Sequence, residues 1–565
     1  MTLPLPLART LLFIALLSVP HILRCQAAET PLRDPTNHRV PMRDGVALST
    51  SVRLPAQGGP AFPVIFVRTP YGKAYDAEQR AHYTRHGYAV VVQDCRGTGE
   101  SVGDFEPYLH EKEDGYDALD WISRQAWCDG HVGMIGASYS AQVQWLAAAG
   151  GHPVLKALIP QVSGTDPFFD VPYDHGILKL SMIEWAYKLT YPERETPVYV
   201  WDSLYTLPVS RIDEAFFGVD VPLWNRWTQM DRPEDWAKAR FLEDLRNVDI
   251  PVLHVSGNWD VEALSTQMNW QRMQAYGHAH QHFLFGPWEH TGFLEDVPTT
   301  FSGIAYGEGS RLDFEAIWLR WFDHWLKGTA NGVSQEKPVQ LFVTGLNTWV
   351  ALNEWPDTRF ARRTWHFNLS RPADGTHALS SAPAPPDTAS YTYVPDSVRL
   401  NMDPEFAESA LFQLDPHARD RIALLSPPFP QRTVLGGPAY ADLVFAVDRP
   451  DVDLFVLLAE MDTAGQLRAL THPGKVRASF RDGRSVAPLP SAEFATARID
   501  LFPFAHAFSA GSRLAVIVRS SWFPRYIRNL GTSDPIESAT RTQAVNVRLS
   551  SAGQLVLYEI PEREP

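Results

Sequence analysis

Short apolar runs rich in β-branched residues recur through the first half of the chain. Pro63–Arg68, Tyr88–Gln93, Val132–Gly136, Leu155–Gln161, Pro251–Ser256 and His282–Gly286 are continuous rather than alternating. That pattern predicts strands buried on both faces of a mostly parallel sheet. Amphipathic stretches such as Asp114–Gln125 and Ala141–Ala149 predict helices between them, an α/β arrangement. The rhythm breaks from about residue 164 to 247, where Trp185, Trp201, Trp224, Trp227 and Trp236 accompany many charges and helical pieces such as Ile177–Thr190. An insertion between two sheet strands predicts a helical cap. The sheet pattern resumes at 248, and Phe314, Ile317, Trp318, Trp321, Phe322 and Trp325 then mark one face of a helix ended by Gly328. From about 351 onward, Thr364–Asn368, Leu443–Val447, Asp453–Leu458 and Arg513–Val518 alternate or read β-rich between Pro, Gly and Asp. This predicts an antiparallel sandwich or jelly roll over 351–565, with Ser380–Ser390 as an exposed loop. The sheet domain is expected over 29–163 and 248–350, with the cap over 164–247.

Charge narrows the function classes. Fifty Lys and Arg against 65 Asp and Glu leave a net charge of −15, with no basic block. Nucleic acid and anionic membrane surfaces are poor partners for such a chain. Residues 1–28 have the layout of a secretory signal peptide: Arg9, an apolar Thr10–Val19, then Ala27 and Ala28 ahead of the first acid, Glu29. The apolar core is too short to span a bilayer comfortably. A secreted or periplasmic protein, free of the membrane after cleavage, is expected. Arg24 before Cys25 fits a lipoprotein signal poorly. Cys95 and Cys128 fall at opposite ends of strands read as neighbours, and a strand of about 17 Å far exceeds the roughly 7 Å that a disulfide tolerates. Both are expected to be free.

The sharpest local signal is Gly136-Ala137-Ser138-Tyr139-Ser140, between a strand and an Ala-rich helix. A serine on such a turn is a nucleophile elbow: the turn lifts Oγ clear of the sheet, and the helix N-terminus favours negative charge. Alone, GxS turns are common. Asp260 follows the strand that starts at Pro251, and His290 follows the one that starts at His282. Each alone has a bland reading, as a turn or N-cap acid or as a structural histidine. Together, the order Ser…Asp…His just beyond the carboxyl ends of sheet strands is that of the α/β-hydrolase triad. Arg96-Gly97-Thr98-Gly99 lacks the spacing of a dinucleotide turn, and reads as a structural turn whose Arg96 ion-pairs. No H-E-x-x-H, Cys/His cluster or EF-hand loop occurs, so neither a catalytic metal nor a cofactor is implied.

On these motifs the chain resembles the X-Pro dipeptidyl-peptidase/cocaine esterase family, which includes α-amino acid ester hydrolases and glutaryl-cephalosporin acylases. The resemblance also rests on Arg68-Thr69-Pro70-Tyr71-Gly72-Lys73, Gln93–Ser101, Gly257–Asp260, Gly286–His290, Gly511–Leu514 and Ser520–Tyr526. It implies Ser138 as nucleophile, Asp260 as triad acid and His290 as base. It further implies an oxyanion hole made by the Tyr71 hydroxyl and the Tyr139 backbone N–H. Ala141 stands where the family elbow has Gly. The implied function is a secreted serine hydrolase acting on a small ester, amide or short peptide, with dipeptidyl-peptidase-like or amino-ester-hydrolase-like specificity. The alternative is an idle α/β-hydrolase scaffold that binds carbohydrate or a protein partner through the jelly roll. The amino-ester hydrolases hold a substrate ammonium with carboxylates. Glu262 matches one such position, Ala263 fails the next, and Asp170 or Asp174 fits a third. The opposing reading makes Glu262 an exposed acid at a helix start.

Overall fold

The structure, a computed structural model, describes residues 32–195, 197, 199–292, 299–301, 303–370, 376–398, 411–412 and 419–561. The leader expected over 1–28 lies outside the described residues. Ten strands form the first sheet: β1 (Thr36–Pro41), β2 (Ala47–Arg53), β3 (Phe62–Thr69), β4 (Ala89–Asp94), β5 (Cys128–Ala137), β6 (Leu155–Gln161), β7 (Val252–Trp259), β8 (Gln281–Glu289), β9 (Val339–Val343) and β10 (Thr348–Leu352). Their spatial order is β1-β2-β4-β3-β5-β6-β7-β8-β9-β10. The strands from β4 to β9 in that order run parallel, and β1/β2, β2/β4 and β9/β10 pair antiparallel. The six apolar runs of the sequence lie in β3 to β8. β1 and β2 escaped the pattern: β1 is a largely exposed edge strand, TNHRVP, with no apolar run. The boundary expected at 350 cuts through β10, so the sheet domain continues to Leu352.

The eight α-helices among the described residues are α1 (Lys73–Gln79), α2 (Glu111–Ser123), α3 (Tyr139–Ala149), α4 (Met182–Thr190), α5 (Ile212–Phe217), α6 (Pro222–Gln229), α7 (Ala263–Ala275) and α8 (Phe314–Lys327). Residues of α2 and α3 pack on one face of the sheet and residues of α8 on the other. α8 starts on an Asp313 cap that accepts from the Ala316 N–H and stops at left-handed Gly328. Phe314, Trp318, Trp321 and Phe322 are buried, while Ile317 and Trp325 pack half-buried at the rim.

The cap holds α4, α5 and α6 around buried Trp224, Trp227 and Trp236. One expectation there needs correcting: Ile177-Leu178 is not helical but half of a two-residue hairpin with Tyr173-Asp174. Helix begins only at Met182 because left-handed Gly176 closes that hairpin first. Beyond residue 360 the chain forms a 14-stranded antiparallel-rich sheet system folded over its own apolar core. Thr388–Tyr393 and Val545–Ser550 alternate buried and exposed along their length, as a two-layer β domain requires. Cys95 and Cys128 are both free. They do sit at opposite strand ends, but β3 lies between β4 and β5, so the strands are not neighbours.

Candidate active site

Ser138 occupies the one-residue hinge between β5 and α3, with φ 58° and ψ −123°. A non-glycine residue in that region is strained and persists only where its surroundings fix it. They do: Ser138 N–H donates to the Gln161 carbonyl of β6 at 3.0 Å, and its own carbonyl accepts from Ala141 at 2.9 Å and Gln142 at 3.0 Å. Gly136 lets the helix approach this close, since a Cβ there would lie 2.7 Å from Ser140 Cβ. Ala141 is fully buried within the intact turn, so the family's glycine is not needed at that position. The Tyr139 ring anchors the elbow from below. Its hydroxyl donates to Glu111 Oε1 at 2.7 Å, and its ring stacks on Tyr108 at 4.6 Å. Glu111 in turn pairs with buried Arg68. As the first residue of α3, Tyr139 has a backbone N–H with no intrahelical acceptor.

Asp260 follows β7 directly and is fully buried. Its Oδ1 lies 2.8 Å from His290 Nδ1 and accepts from the Glu262 N–H at 3.0 Å. Its Oδ2 accepts from Ser256 Oγ at 2.5 Å. With the carboxylate satisfied on both oxygens, His290 donates through Nδ1, leaving Nε2 as the basic nitrogen. The pairing of β8 with β7 shifts register between Gly286 and Glu289, and that irregularity aims His290 off the end of the strand.

Ser138, His290, Tyr71 and Tyr139 all line one cavity of about 470 Å³ under the cap. Tyr71 is 48% exposed, its open surface facing this cavity. Its hydroxyl meets the Ser138 side chain and the Trp185 indole, and burial of that end pushes the phenol up to about 12. Tyr71 therefore remains a hydrogen-bond donor at any ordinary pH. The turn that carries it is fixed by left-handed Gly72 and by Asp94, whose Oδ1 accepts the Lys73 N–H at 2.5 Å. Arg96, as expected, ion-pairs: it grips Asp114 at 2.6 Å and Asp44 at 2.7 Å.

The three carboxylates proposed for an ammonium site do converge, but not as an open receptor. Glu262 is buried and lines the cavity. Although it stands at the N-cap of α7, it is not the exposed helix-start acid of the opposing reading. Asp170 and Asp174 do not line the cavity. Lys179 lies 2.5 Å from Asp170 and 3.7 Å from both Asp174 and Glu262. Lys475 of the jelly roll lies 2.7 Å from Asp174, which also accepts from the Tyr526 hydroxyl at 2.7 Å. Neither lysine was anticipated. The only sequence signal was a lone cation inside an apolar run, Ile177-Leu178-Lys179-Leu180.

This strand order and elbow have counterparts among known proteins. The family described as "X-Pro dipeptidyl-peptidase (S15 family)" matches residues 44–292, and "X-Pro dipeptidyl-peptidase C-terminal non-catalytic domain" matches residues 331–555. The chain is 29% identical over 548 residues to the cocaine esterase of Rhodococcus sp. (strain MB1 Bresler), covering 89% of this chain and 93% of that one. The chain belongs to the X-Pro dipeptidyl-peptidase/cocaine esterase family of serine hydrolases. In fold it is similar to an α-amino acid ester hydrolase (TM-score 0.77, 20% identity, 96% of this chain and 100% of that one). It is also similar to an aminopeptidase of a marine sediment Thaumarchaeota archaeon (TM-score 0.80, 19% identity, 96% and 99%). The family's C-terminal domain, described as non-catalytic, nevertheless reaches this site. Asn258 Nδ2 donates to the Leu470 carbonyl at 2.5 Å, and His472 Nε2 lies 2.9 Å from the Trp259 carbonyl. Burial pushes His472 down to about 3, so it is neutral and donates that bond. The jelly roll thus clamps the two residues that precede Asp260. Family motifs pointed to Asn258 and Trp259. Nothing in the sequence pointed to their partners, 212 and 213 residues away.

Proposed function

We propose that the chain hydrolyses small esters or amides through an acyl-enzyme on Ser138. The observation that carries this is the His290–Asp260 pair at 2.8 Å opening on the same cavity as a strained Ser138 elbow. His290 Nε2 takes the Ser138 hydroxyl proton as Oγ attacks the carbonyl carbon, and Asp260 stabilises the imidazolium. The oxyanion receives the Tyr71 hydroxyl and the Tyr139 N–H. His290 returns the proton to the departing alkoxide or amine, and water then repeats the cycle on the acyl-enzyme. The family's substrates, small esters and short peptides, suit the size of the cavity. Export by a leader over 1–28 belongs to the same proposal, and N-terminal sequencing of protein recovered outside the cytoplasm checks it.

The test is fluorophosphonate labelling of wild type and Ser138→Ala, alongside ester turnover. Wild type should label and the variant should not, with kcat lower by at least about 10⁴ and an unchanged melting curve. An unlabelled, inactive wild type would return the idle-scaffold reading.

A further inference from the structure

Beneath the cavity the protein places an ammonium of its own. Lys179 is 2% exposed and stands among three carboxyl groups. A desolvated cation is tolerable there only because those groups surround it. Lys475 covers Asp174 from the jelly-roll side, together with Tyr526. Two ammoniums then face three carboxyls, and one proton is enough to make the cluster neutral. Glu262 Oε2 and Asp170 Oδ2 are buried without a hydrogen-bond partner, yet the two carboxyls interact directly. A proton held between them satisfies both. Burial, with Asp170 beside it, holds Glu262 well above the usual carboxylate range. Burial opposes ionisation of Asp170 as well, but Lys179 outweighs it and holds that group below its ordinary value. Lys179, 2.5 Å from Asp170 but 3.7 Å from Glu262, favours the charge on Asp170 and the shared proton towards Glu262.

We propose that Lys179 is the specificity-determining residue of the acyl pocket: by filling the carboxylate cluster, it makes the site select acyl groups that carry no α-ammonium, apolar arylacyl esters above all. This rests on Ser138 being the nucleophile. A substrate cation entering the cavity would lose hydration and find the Glu262, Asp170 and Asp174 carboxyls already engaged, while Asp76, elsewhere on the cavity wall, stands beside Arg80, which lines it too. It would also meet Lys179 across a low-dielectric gap. Asp170 and Lys179 of the cap face Glu262, and Asp174 behind them is held by His175, Lys179, Lys475 and Tyr526. Asp260 lies on the same loop as Glu262, and Tyr71 and Tyr108 on the cavity wall. Around the cavity, Tyr71, Tyr108, Val171, Met182 and Trp185 offer apolar surface for a ring.

Methyl phenylacetate and phenylglycine methyl ester differ at the α-carbon only by the amino group, so their kcat/KM ratio reads the proposal. It should be measured from about pH 5.5 to about pH 8.5, across the range in which an α-amino group loses its proton. Taking the ratio at each pH cancels the pH dependence of the chemical steps, which both substrates share. Wild type should favour the phenylacetate by about tenfold or more at the acid end, with the gap closing as the ammonium is lost. Lys179→Met leaves Asp170 unpaired and should reverse the preference. The double variant Lys179→Met/Asp170→Asn removes one charge of each sign, and should fold and again favour the phenylacetate. A wild-type preference for the amino ester at low pH, or a ratio flat with pH, overturns the proposal. If neither ester is turned over and Ser138 takes up no fluorophosphonate, the nucleophile reading fails and this inference with it.

Discussion

At the residue scale, Tyr71 is the most informative side chain. Its hydroxyl touches Ser138 while its ring opens on the cavity, and burial pushes its phenol up to about 12. A group that keeps its proton across the working range contributes by donating to the oxyanion. It does not contribute by exchanging protons. Tyr71→Phe should therefore lower kcat by about 10²–10³ with KM little changed. The same factor should appear at acid and alkaline pH, since nothing at this position titrates between them. Steady-state kinetics on one activated ester at two pH values decide the matter. A change confined to KM would make Tyr71 a binding residue instead.

At the scale of elements, the β5–α3 junction concentrates the strain. Ser138 holds φ 58° because Gly136 allows Ser140 to close over the strand end, and because Gln161 of β6 accepts the Ser138 N–H. Gly136→Ala would put a methyl 2.7 Å from Ser140 Cβ and 3.0 Å from the Ser140 carbonyl oxygen. Neither atom is the tip of a flexible side chain, so the start of α3 has to move. We expect a loss of about 1–3 kcal/mol, the usual cost of overpacking, together with a marked fall in kcat. Urea melts and turnover of the same preparation give both values. Wild-type stability with wild-type rate would mean that the elbow is looser than its contacts suggest. Ala141 is the instructive contrast: its methyl is fully buried in the same turn without disturbing it.

At the scale of the whole molecule, three regions meet at one charged junction. The cap supplies Asp170, Asp174 and Lys179, the loop after β7 supplies Glu262, and the jelly roll supplies Lys475 and Tyr526. Burial lowers Lys475 from its ordinary value, and Asp174 is its principal support. Lys475→Met should cost about 3 kcal/mol in equilibrium unfolding, the low end for a broken buried pair, because Lys179 and His175 stay with Asp174. Lys475→Met/Asp174→Asn should recover part of that loss. A single variant as stable as wild type would show that the junction does not hold the regions together.

The sequence by itself determined the α/β layering, the six central strands, the α8 stripe and the order Ser138, Asp260, His290. Each of these is a local pattern: a continuous apolar run, a 3.6-residue period, or a polar residue just past a strand end. The edge strand β1 was not legible, because it buries too little to leave an apolar run, and β2 (ALSTSVR) is buried but made largely of small polar residues. The sheet runs two residues past the boundary expected at 350, because β10 pairs with β9 through Leu352. Only the tertiary structure decided the electrostatics of the acyl pocket. Glu262, Asp170 and Asp174 were visible as acids, but their charge depends on Lys179 and on Lys475, the latter 301 residues from Asp174. The energy of a buried charge depends on every ion within a few ångströms. Chain packing, not spacing along the sequence, brings those ions together.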